Sequence, residues 1–79
     1  MWDNVDIIVP KLYEDMQGGV LVEWFKEVGD EIESGDEIFS IETEKTVFEI
    51  EAEDDGKITA ILVGGGNKIK TLDVVGTLE

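Results

Sequence analysis

An internal repeat limits the folds open to this chain more than any other feature of its sequence. Two 24-residue segments, Gly19–Glu42 and Gly56–Glu79, align without a gap when the sequence is shifted by 37 positions. Apolar residues match apolar residues, as Leu21 matches Ile58, and the turn glycines keep their places. Two copies are too few for a solenoid, which needs at least three. The repeat therefore predicts a single domain, residues 1–79, whose halves share one core and are related by a pseudo-two-fold axis.

The sequence reads as short strands separated by turns rich in glycine, aspartate and asparagine. These residues suit turns that need a positive φ or a side-chain hydrogen bond to the backbone. Helical periodicity is weak throughout, so the predicted class is all-β. The predicted strands are Val5–Val9, Val20–Phe25, Glu31–Glu33, Glu37–Ile41, Thr46–Glu51, Lys57–Val63, Lys68–Lys70 and Val74–Leu78.

Both copies of the repeat carry a pair of apolar residues three positions apart. Leu21 and Trp24 in the first copy match Ile58 and Ile61 in the second, and all four are predicted core residues. This spacing breaks the strict alternation of a strand, in which every second side chain points to the same face. It predicts a β-bulge in each of the two strands.

Composition excludes several classes of function. The 79 residues carry a net charge of −14, which opposes binding to nucleic acid or to an anionic membrane. The chain has no cysteine for a disulfide or thiolate metal site, and no histidine to activate Ser34 or Ser40 in a classical triad. The carboxylates do not have the spacing of a calcium loop. No apolar run reaches the 18 or so residues of a membrane span, and no targeting segment opens the chain. The chain is expected to present or dock a group and not to be an enzyme.

One lysine lies at the tip of a predicted hairpin, in the stretch "SIETEKTVFEIEA". Lys45 is flanked by Glu44 and Thr46, and strand-like sequence follows on both sides. The turn Thr43–Thr46 contains no glycine or asparagine, which favours a type I turn with negative φ. Strand pairing on both sides should hold Lys45 in a fixed, exposed position.

The chain resembles the lipoyl domains of 2-oxo acid dehydrogenase complexes. The stretch "IETEKTVFEIEAEDDGKI", Ile41–Ile58, is similar to the family's E-T/G-D-K hairpin and the turn into its second half. "VGDEIESGDEI", Val28–Ile38, and "IVPKL", Ile8–Leu12, are similar to two further family segments. The resemblance covers about Val5 to Leu78. It implies a flattened barrel or sandwich of two four-stranded antiparallel sheets.

By this resemblance, Lys45 is the attachment site for lipoic acid in amide linkage. The lipoamide would act as a swinging arm that carries acyl groups and reducing equivalents between the active sites of a 2-oxo acid or acetoin-type dehydrogenase complex. The implied partners are a thiamine-dependent decarboxylase (E1), an acyltransferase catalytic domain, dihydrolipoamide dehydrogenase (E3) and a lipoate-attaching enzyme. The implied location is the bacterial or archaeal cytoplasm or the mitochondrial matrix, without secretion. A chain that ends at its last predicted strand favours a domain cut from a longer acyltransferase.

Two groups of residues are candidates for recognition. Glu44 and Thr46 flank the lysine, and the attaching enzyme is expected to recognise them. The loop Lys11–Gly18 is about five residues longer than its counterpart in the second half, and extra loop length often serves recognition. The residues of this loop expected to contact a partner are Tyr13, Glu14, Asp15 and Met16.

Three other readings stay open. A biotin carrier domain has the same fold and lysine position, but methionines usually flank that lysine. A glycine-cleavage carrier protein is longer and has added helices. An unmodified barrel would serve protein contacts only. Departures from the lipoyl pattern, such as Glu44 in place of aspartate and Glu51–Glu53 in place of P-S-P, leave the acyl group and the complex open.

Overall fold

The computed structural model describes residues 4–79, which form two four-stranded antiparallel sheets and no helix. The fold class and the two-sheet architecture expected from the sequence are confirmed. All eight predicted strands are present, with ends that move by at most two residues. The strands are β1 (Val5–Ile8), β2 (Gly18–Trp24), β3 (Glu31–Ile32), β4 (Glu37–Glu42), β5 (Val47–Glu51), β6 (Gly56–Ile61), β7 (Lys68–Lys70) and β8 (Val74–Leu78).

The internal repeat appears as symmetry between the sheets. One sheet has the order β1-β8-β6-β3 and the other β5-β4-β2-β7, so each strand has a counterpart in the same position of the other sheet. Backbone hydrogen bonds repeat as well. The Gly29 N–H donates to the Ile58 carbonyl at 2.8 Å, and the Gly66 N–H donates to the Leu21 carbonyl at 2.7 Å. The predicted pseudo-two-fold relation is therefore present in the hydrogen-bond pattern of the chain.

The turn residues of the repeat have the same function in both halves. Asp36 accepts a hydrogen bond from the Glu33 N–H through Oδ2 at 2.9 Å, and Asp73 accepts one from the Lys70 N–H at 2.8 Å. A short carboxylate can satisfy a backbone donor in this way without a second strand. This explains why an aspartate occupies the equivalent position in each copy.

The first and fifth strands are counterparts in the two halves, and the alignment of their residues differs by one position from the one expected from the sequence. The Val9 N–H bonds to Asp73 O just as the Ala52 N–H bonds to Asp36 O, so Val9 is the counterpart of Ala52. The length expected from the sequence, about five extra residues in the loop Lys11–Gly18, instead matches Pro10 with Ala52. The insertion before the first repeat is thus six residues long instead of about five. A four-residue strand carries too little pattern to fix its register to a single residue.

The core lies between the two sheets, and its largest fully buried side chains come from both. Leu21 and Ile58 are fully buried, as predicted. Trp24 and Ile61 are half-buried and pack against the same cluster. Trp24 contacts the ring of Phe39 at a centroid distance of 4.9 Å and donates its indole N–H to the Val63 carbonyl at 2.7 Å. The indole thus covers one side of the core while its polar atom is satisfied.

Both predicted bulges are confirmed. The β2–β4 register shifts between Leu21 and Glu23, and the β6–β8 register shifts between Ile58 and Ala60. The extra residue in each strand returns the next apolar side chain to the core face. This is why apolar residues three apart, and not two apart, pack against one core.

One non-glycine residue in the described chain, Leu72, has a positive φ. Its φ is 74°, its side chain is 64% exposed, and its repeat counterpart is Gly35, with φ of 96°. The left-handed conformation costs an L-residue about 1–2 kcal/mol, and glycine avoids that cost. The second copy of the repeat therefore contains a strained turn that the first copy does not.

We expect Leu72→Gly to raise the free energy of unfolding by about 0.5–1 kcal/mol. The backbone strain is removed, whereas an exposed side chain contributes little burial. Denaturant unfolding measures the change. Leu62→Gly is the matched control, because Leu62 is 60% exposed but has no positive φ, and it should lose about 0.5–1 kcal/mol. Equal losses in both variants would contradict the prediction.

Candidate functional site

Lys45 lies at the tip of the β4–β5 hairpin. The last residue pair of the ladder is Glu42 with Val47, and the four residues Thr43–Thr46 connect the two strands. Lys45, Glu44 and Thr46 are exposed. The hairpin thus presents the lysine and both of its neighbours to solvent, as the sequence predicted.

The side chain of Thr43 holds the turn together. Its Oγ1 accepts hydrogen bonds from the N–H groups of Lys45 and Thr46, each at 3.2 Å. The same hydroxyl donates to the Thr46 carbonyl at 2.8 Å, and the Thr43 N–H donates to that carbonyl at 2.9 Å. One hydroxyl has one proton to donate and two lone pairs, so the hydrogen-bonding capacity of Oγ1 is fully used.

This arrangement refines the turn predicted from the sequence. No residue from Thr43 to Thr46 has a positive φ, in agreement with the prediction. The closing bond of a type I turn, however, runs to the backbone carbonyl of its first residue. Here the N–H of Thr46 bonds to the hydroxyl of Thr43 instead, as Ser and Thr side chains often do locally. Thr43 is therefore a positioning residue that sequence reasoning missed.

The loop before β2 lies beside the hairpin. The ring of Tyr13 lies under the Lys45 ammonium group, with Nζ 5.2 Å from the ring centroid. Tyr13 also stacks on Phe48 of β5, at a centroid distance of 6.3 Å and an interplanar angle of 28°. Glu14 and Asp15 are exposed on the same loop. The structure thus places Tyr13 against the lysine and leaves Glu14 and Asp15 exposed on the same loop.

The fourth loop residue, Met16, is not on the surface. Its side chain is 4% exposed and belongs to the core cluster. Its Sδ accepts a hydrogen bond from the Leu12 N–H at 3.2 Å, and its carbonyl accepts one from the Thr71 hydroxyl at 3.1 Å. The expectation that Met16 contacts a partner is wrong, because its side chain packs inward and fixes the loop to the core.

A groove runs beside the hairpin, between the Tyr13 loop, the start of β2 and the edge strand β7. The paired glycines Gly18 and Gly19 lie here because a Cβ on either would meet a carbonyl oxygen of the neighbouring strand at 2.2 Å. The lining residues are Tyr13, Asp15, Gln17, Gly18, Gly19, Val20, Glu42, Thr43, Glu44, Lys68, Ile69 and Lys70.

The pseudo-two-fold relates this groove to a second one near the end of the chain. The second groove contains Glu31 and Glu33 where the first contains Lys68 and Lys70. The fold accepts either charge at these positions, so strand pairing does not require the two lysines. The surface beside Lys45 is consequently less acidic than the equivalent surface near the end of the chain. No signal in the sequence alone connected Lys68 and Lys70 with Lys45.

Two further observations bound the chemistry of the site. Within residues 4–79, no group of three or more His, Cys, Asp and Glu side chains is arranged to hold a metal ion. That same span contains no helix long and apolar enough to cross a membrane.

Comparison with known proteins places the chain in a family. The Biotin_lipoyl family model, described as "Biotin-requiring enzyme", matches residues 5–78. The solved lipoyl domain of the 2-oxoglutarate dehydrogenase complex from Azotobacter vinelandii is 32% identical, with a TM-score of 0.77 and coverage of 95% of each chain.

Curated relatives are longer proteins. The succinyltransferase component of the 2-oxoglutarate dehydrogenase complex from Buchnera aphidicola is 34% identical over 76 residues, and the pyruvate dehydrogenase E1 component subunit beta from Rhizobium meliloti is 42% identical over 64 residues. The chain spans 19% of the first and 14% of the second. With a family match over nearly its whole length and a solved lipoyl domain of the same size, the chain belongs to the Biotin_lipoyl family and is a lipoyl-type carrier domain.

Proposed function

We propose that Lys45 carries lipoic acid in amide linkage and that the domain serves a 2-oxo acid dehydrogenase complex as its mobile carrier. The observation that carries this proposal is the position of Lys45, which is exposed at a hairpin tip held by the Thr43 hydroxyl. The hairpin sequence is the one that resembles the lipoyl attachment motif.

The residues around Lys45 fit such a group. The amine is on the surface, so a long amide-linked arm meets no steric barrier at its root. The chain contains no cysteine, so no thiol of its own can exchange with a disulfide on the arm. The turn bond to Thr43 fixes the backbone of Lys45, to which the root of the arm is attached.

A bound lipoyl group supplies a disulfide that can be opened to carry an acyl group and two reducing equivalents. The chain itself supplies placement. A rigid hairpin ties the arm to a folded domain, and tethering raises its effective concentration at each active site it can reach. Histidine, the side chain that most often acts as a general base, is absent from its sequence.

The proposed partners follow from the family's complexes. They are a thiamine-dependent decarboxylase, an acyltransferase catalytic domain, dihydrolipoamide dehydrogenase and a lipoate-attaching enzyme. Exposed Glu44 and Thr46 are proposed contacts of the attaching enzyme, and Tyr13, Glu14 and Asp15 are proposed contacts of the decarboxylase. The proposed setting is a bacterial or archaeal cytoplasm or the mitochondrial matrix.

The test of attachment is the intact mass of the chain after incubation with a lipoate-attaching enzyme and lipoate, and separately with a biotin ligase and biotin. We expect the mass of one lipoyl group in the first reaction and no change in the second. Biotin attachment alone would assign the chain to the biotin carriers. No modification in either reaction would contradict the carrier role of Lys45.

Glu14→Gln combined with Asp15→Asn should slow reductive acylation of the lipoylated domain by its decarboxylase about tenfold at subsaturating concentration. Charges at an interface affect association and orientation more than the chemistry of the arm. Lipoylation by the attaching enzyme should change less than twofold. The matched control is Glu31→Gln with Glu33→Gln, which removes the same charge from the equivalent groove near the end of the chain. Equal slowing by both pairs would show a general charge effect and would rule out recognition by the loop.

A further inference from the structure

The ammonium group of Lys45 lies over the face of an aromatic ring. Nζ is 5.2 Å from the Tyr13 centroid, inside the distance of about 6 Å at which a cation and a ring attract each other. The attraction comes from the negative face of the ring and requires a positive charge on the side chain. Lys45 is therefore positioned in the unmodified chain by a contact that depends on its own charge.

The ring is held firmly enough to serve as a platform. Tyr13 is half-buried, packs against the core cluster and stacks on Phe48. Its carbonyl accepts a hydrogen bond from the N–H of the buried Met16 at 3.1 Å, which closes the loop behind the ring. Phe48 pairs with Ile41 across the same hairpin that carries Lys45. Ring and lysine are thus fixed to one another through both the core and the β4–β5 ladder.

We propose that Tyr13 is a positioning residue that holds Lys45 while its amine is charged and releases the side chain once the amine is acylated. The proposal rests on the proposed function in that the acylation is lipoylation. In that step the deprotonated amine forms a bond to the carboxyl carbon of an activated lipoate supplied by the attaching enzyme. The leaving group departs with its electron pair, the nitrogen loses its second proton, and a neutral amide remains.

The release has two consequences for the site. Before attachment, the amine is held on the protein surface and must leave the ring to enter the active site of the attaching enzyme. After attachment, the charge that the contact needs is gone, so the root of the arm is no longer tied to Tyr13. The face of the Tyr13 ring then becomes accessible beside the arm. Modification of Lys45 is thereby coupled to exposure of the Tyr13 ring.

The contact can be observed directly, because Tyr13 is the single tyrosine in the chain. Labelling with 3-fluorotyrosine gives one ¹⁹F resonance, which is recorded for the unmodified chain, Lys45→Arg, Lys45→Gln and the lipoylated chain. We expect the unmodified chain and Lys45→Arg to share a chemical shift, since both retain a cation at position 45. Lys45→Gln and the lipoylated chain, which lack that cation, should share a different shift. Lys68→Gln, which removes a charge elsewhere along the groove, should match the unmodified chain. The proposal is overturned if Lys45→Gln gives the same shift as the unmodified chain.

Kinetics of attachment provide a second readout. Tyr13→Leu should lower KM for the lipoate-attaching enzyme about two- to fivefold at constant kcat, which is the fold-change of a contact worth ~0.5–1 kcal/mol at an exposed site. Tyr13→Phe keeps the ring and should behave as the parent chain. An unchanged KM in Tyr13→Leu overturns the proposal, as does an equal change in Tyr13→Phe. If Lys45 is never lipoylated, the proposed function fails, but the comparison of Lys45→Arg with Lys45→Gln still tests the contact.

Discussion

We expect Lys45→Arg to abolish attachment of lipoic acid and to leave the fold unchanged. A guanidinium stays protonated at any pH at which proteins are folded, so it cannot act as the nucleophile that forms the amide. The hairpin backbone does not depend on the side chain, since the turn bonds use the N–H of residue 45 and the hydroxyl of Thr43. Exposed substitutions of this kind change the free energy of unfolding by less than about 0.5 kcal/mol.

Intact mass and thermal unfolding together test this expectation. The variant should gain no mass in the attaching reaction and should unfold at the temperature of the parent chain. Lys68→Arg is the matched control, because Lys68 is an exposed lysine in the groove beside the hairpin and its replacement should leave attachment complete. Attachment to the Lys45→Arg variant would show that another lysine is the site. A large loss of stability would show that Lys45 has a structural role.

Thr43→Val should lower the kcat/KM of lipoylation about tenfold. Valine keeps the shape of threonine but removes the three hydrogen bonds that Oγ1 makes to Lys45 and Thr46. Of the hydrogen bonds within the turn, only the one from the Thr43 N–H to the Thr46 carbonyl then remains, and the attaching enzyme must order the hairpin as it binds. The free energy needed to order the hairpin reduces the affinity of the attaching enzyme for the domain. A cost of about 1.4 kcal/mol corresponds to a tenfold reduction in kcat/KM. The free energy of unfolding should fall by about 1 kcal/mol, since the bonds are exposed and each contributes little net stability.

The control for Thr43→Val is Thr43→Ser, which keeps the hydroxyl and should be lipoylated within twofold of the parent rate. Rates are compared well below the unfolding temperature, so that both variants are folded. If Thr43→Val is lipoylated at the parent rate, the position of Lys45 does not depend on the turn geometry. If Thr43→Ser is as slow as Thr43→Val, the methyl group of Thr43 matters and the hydroxyl does not.

Much of the fold was readable from the sequence because its signals are local and occur twice. Alternation of apolar residues marked the strands, and the spacing of Leu21 and Trp24 gave the bulges later found at Val22 and Thr59. Turn glycines and aspartates marked the loops. Each signal occurs again 37 residues away, which is why the pseudo-two-fold symmetry could be predicted without any knowledge of long-range contacts. The arrangement in two four-stranded sheets was implied by the resemblance to lipoyl domains.

The site was only partly readable, for the same physical reason. Lys45 and its neighbours follow from a hairpin, which is a local structure. The role of Thr43 depends on whether the Thr46 N–H bonds to the backbone carbonyl or to the side-chain hydroxyl of Thr43, and the sequence is compatible with both. The loop before β2 has no periodicity, so only residue type, an apolar methionine against a charged glutamate, indicated that Met16 is buried and Glu14 is exposed.

By itself, the sequence determined the class of fold, its two-fold repeat and the lysine at the hairpin tip. The alternation of apolar residues along a strand and the residue types of a turn depend only on residues that are close together in the chain. The tertiary structure alone decided that the Tyr13 ring stacks on Phe48 and lies under the Lys45 ammonium group. It also placed Lys68 and Lys70 beside the hairpin, opposite in charge to their counterparts Glu31 and Glu33. These contacts join residues that are far apart in the chain. They exist only once the two sheets have packed on a shared core.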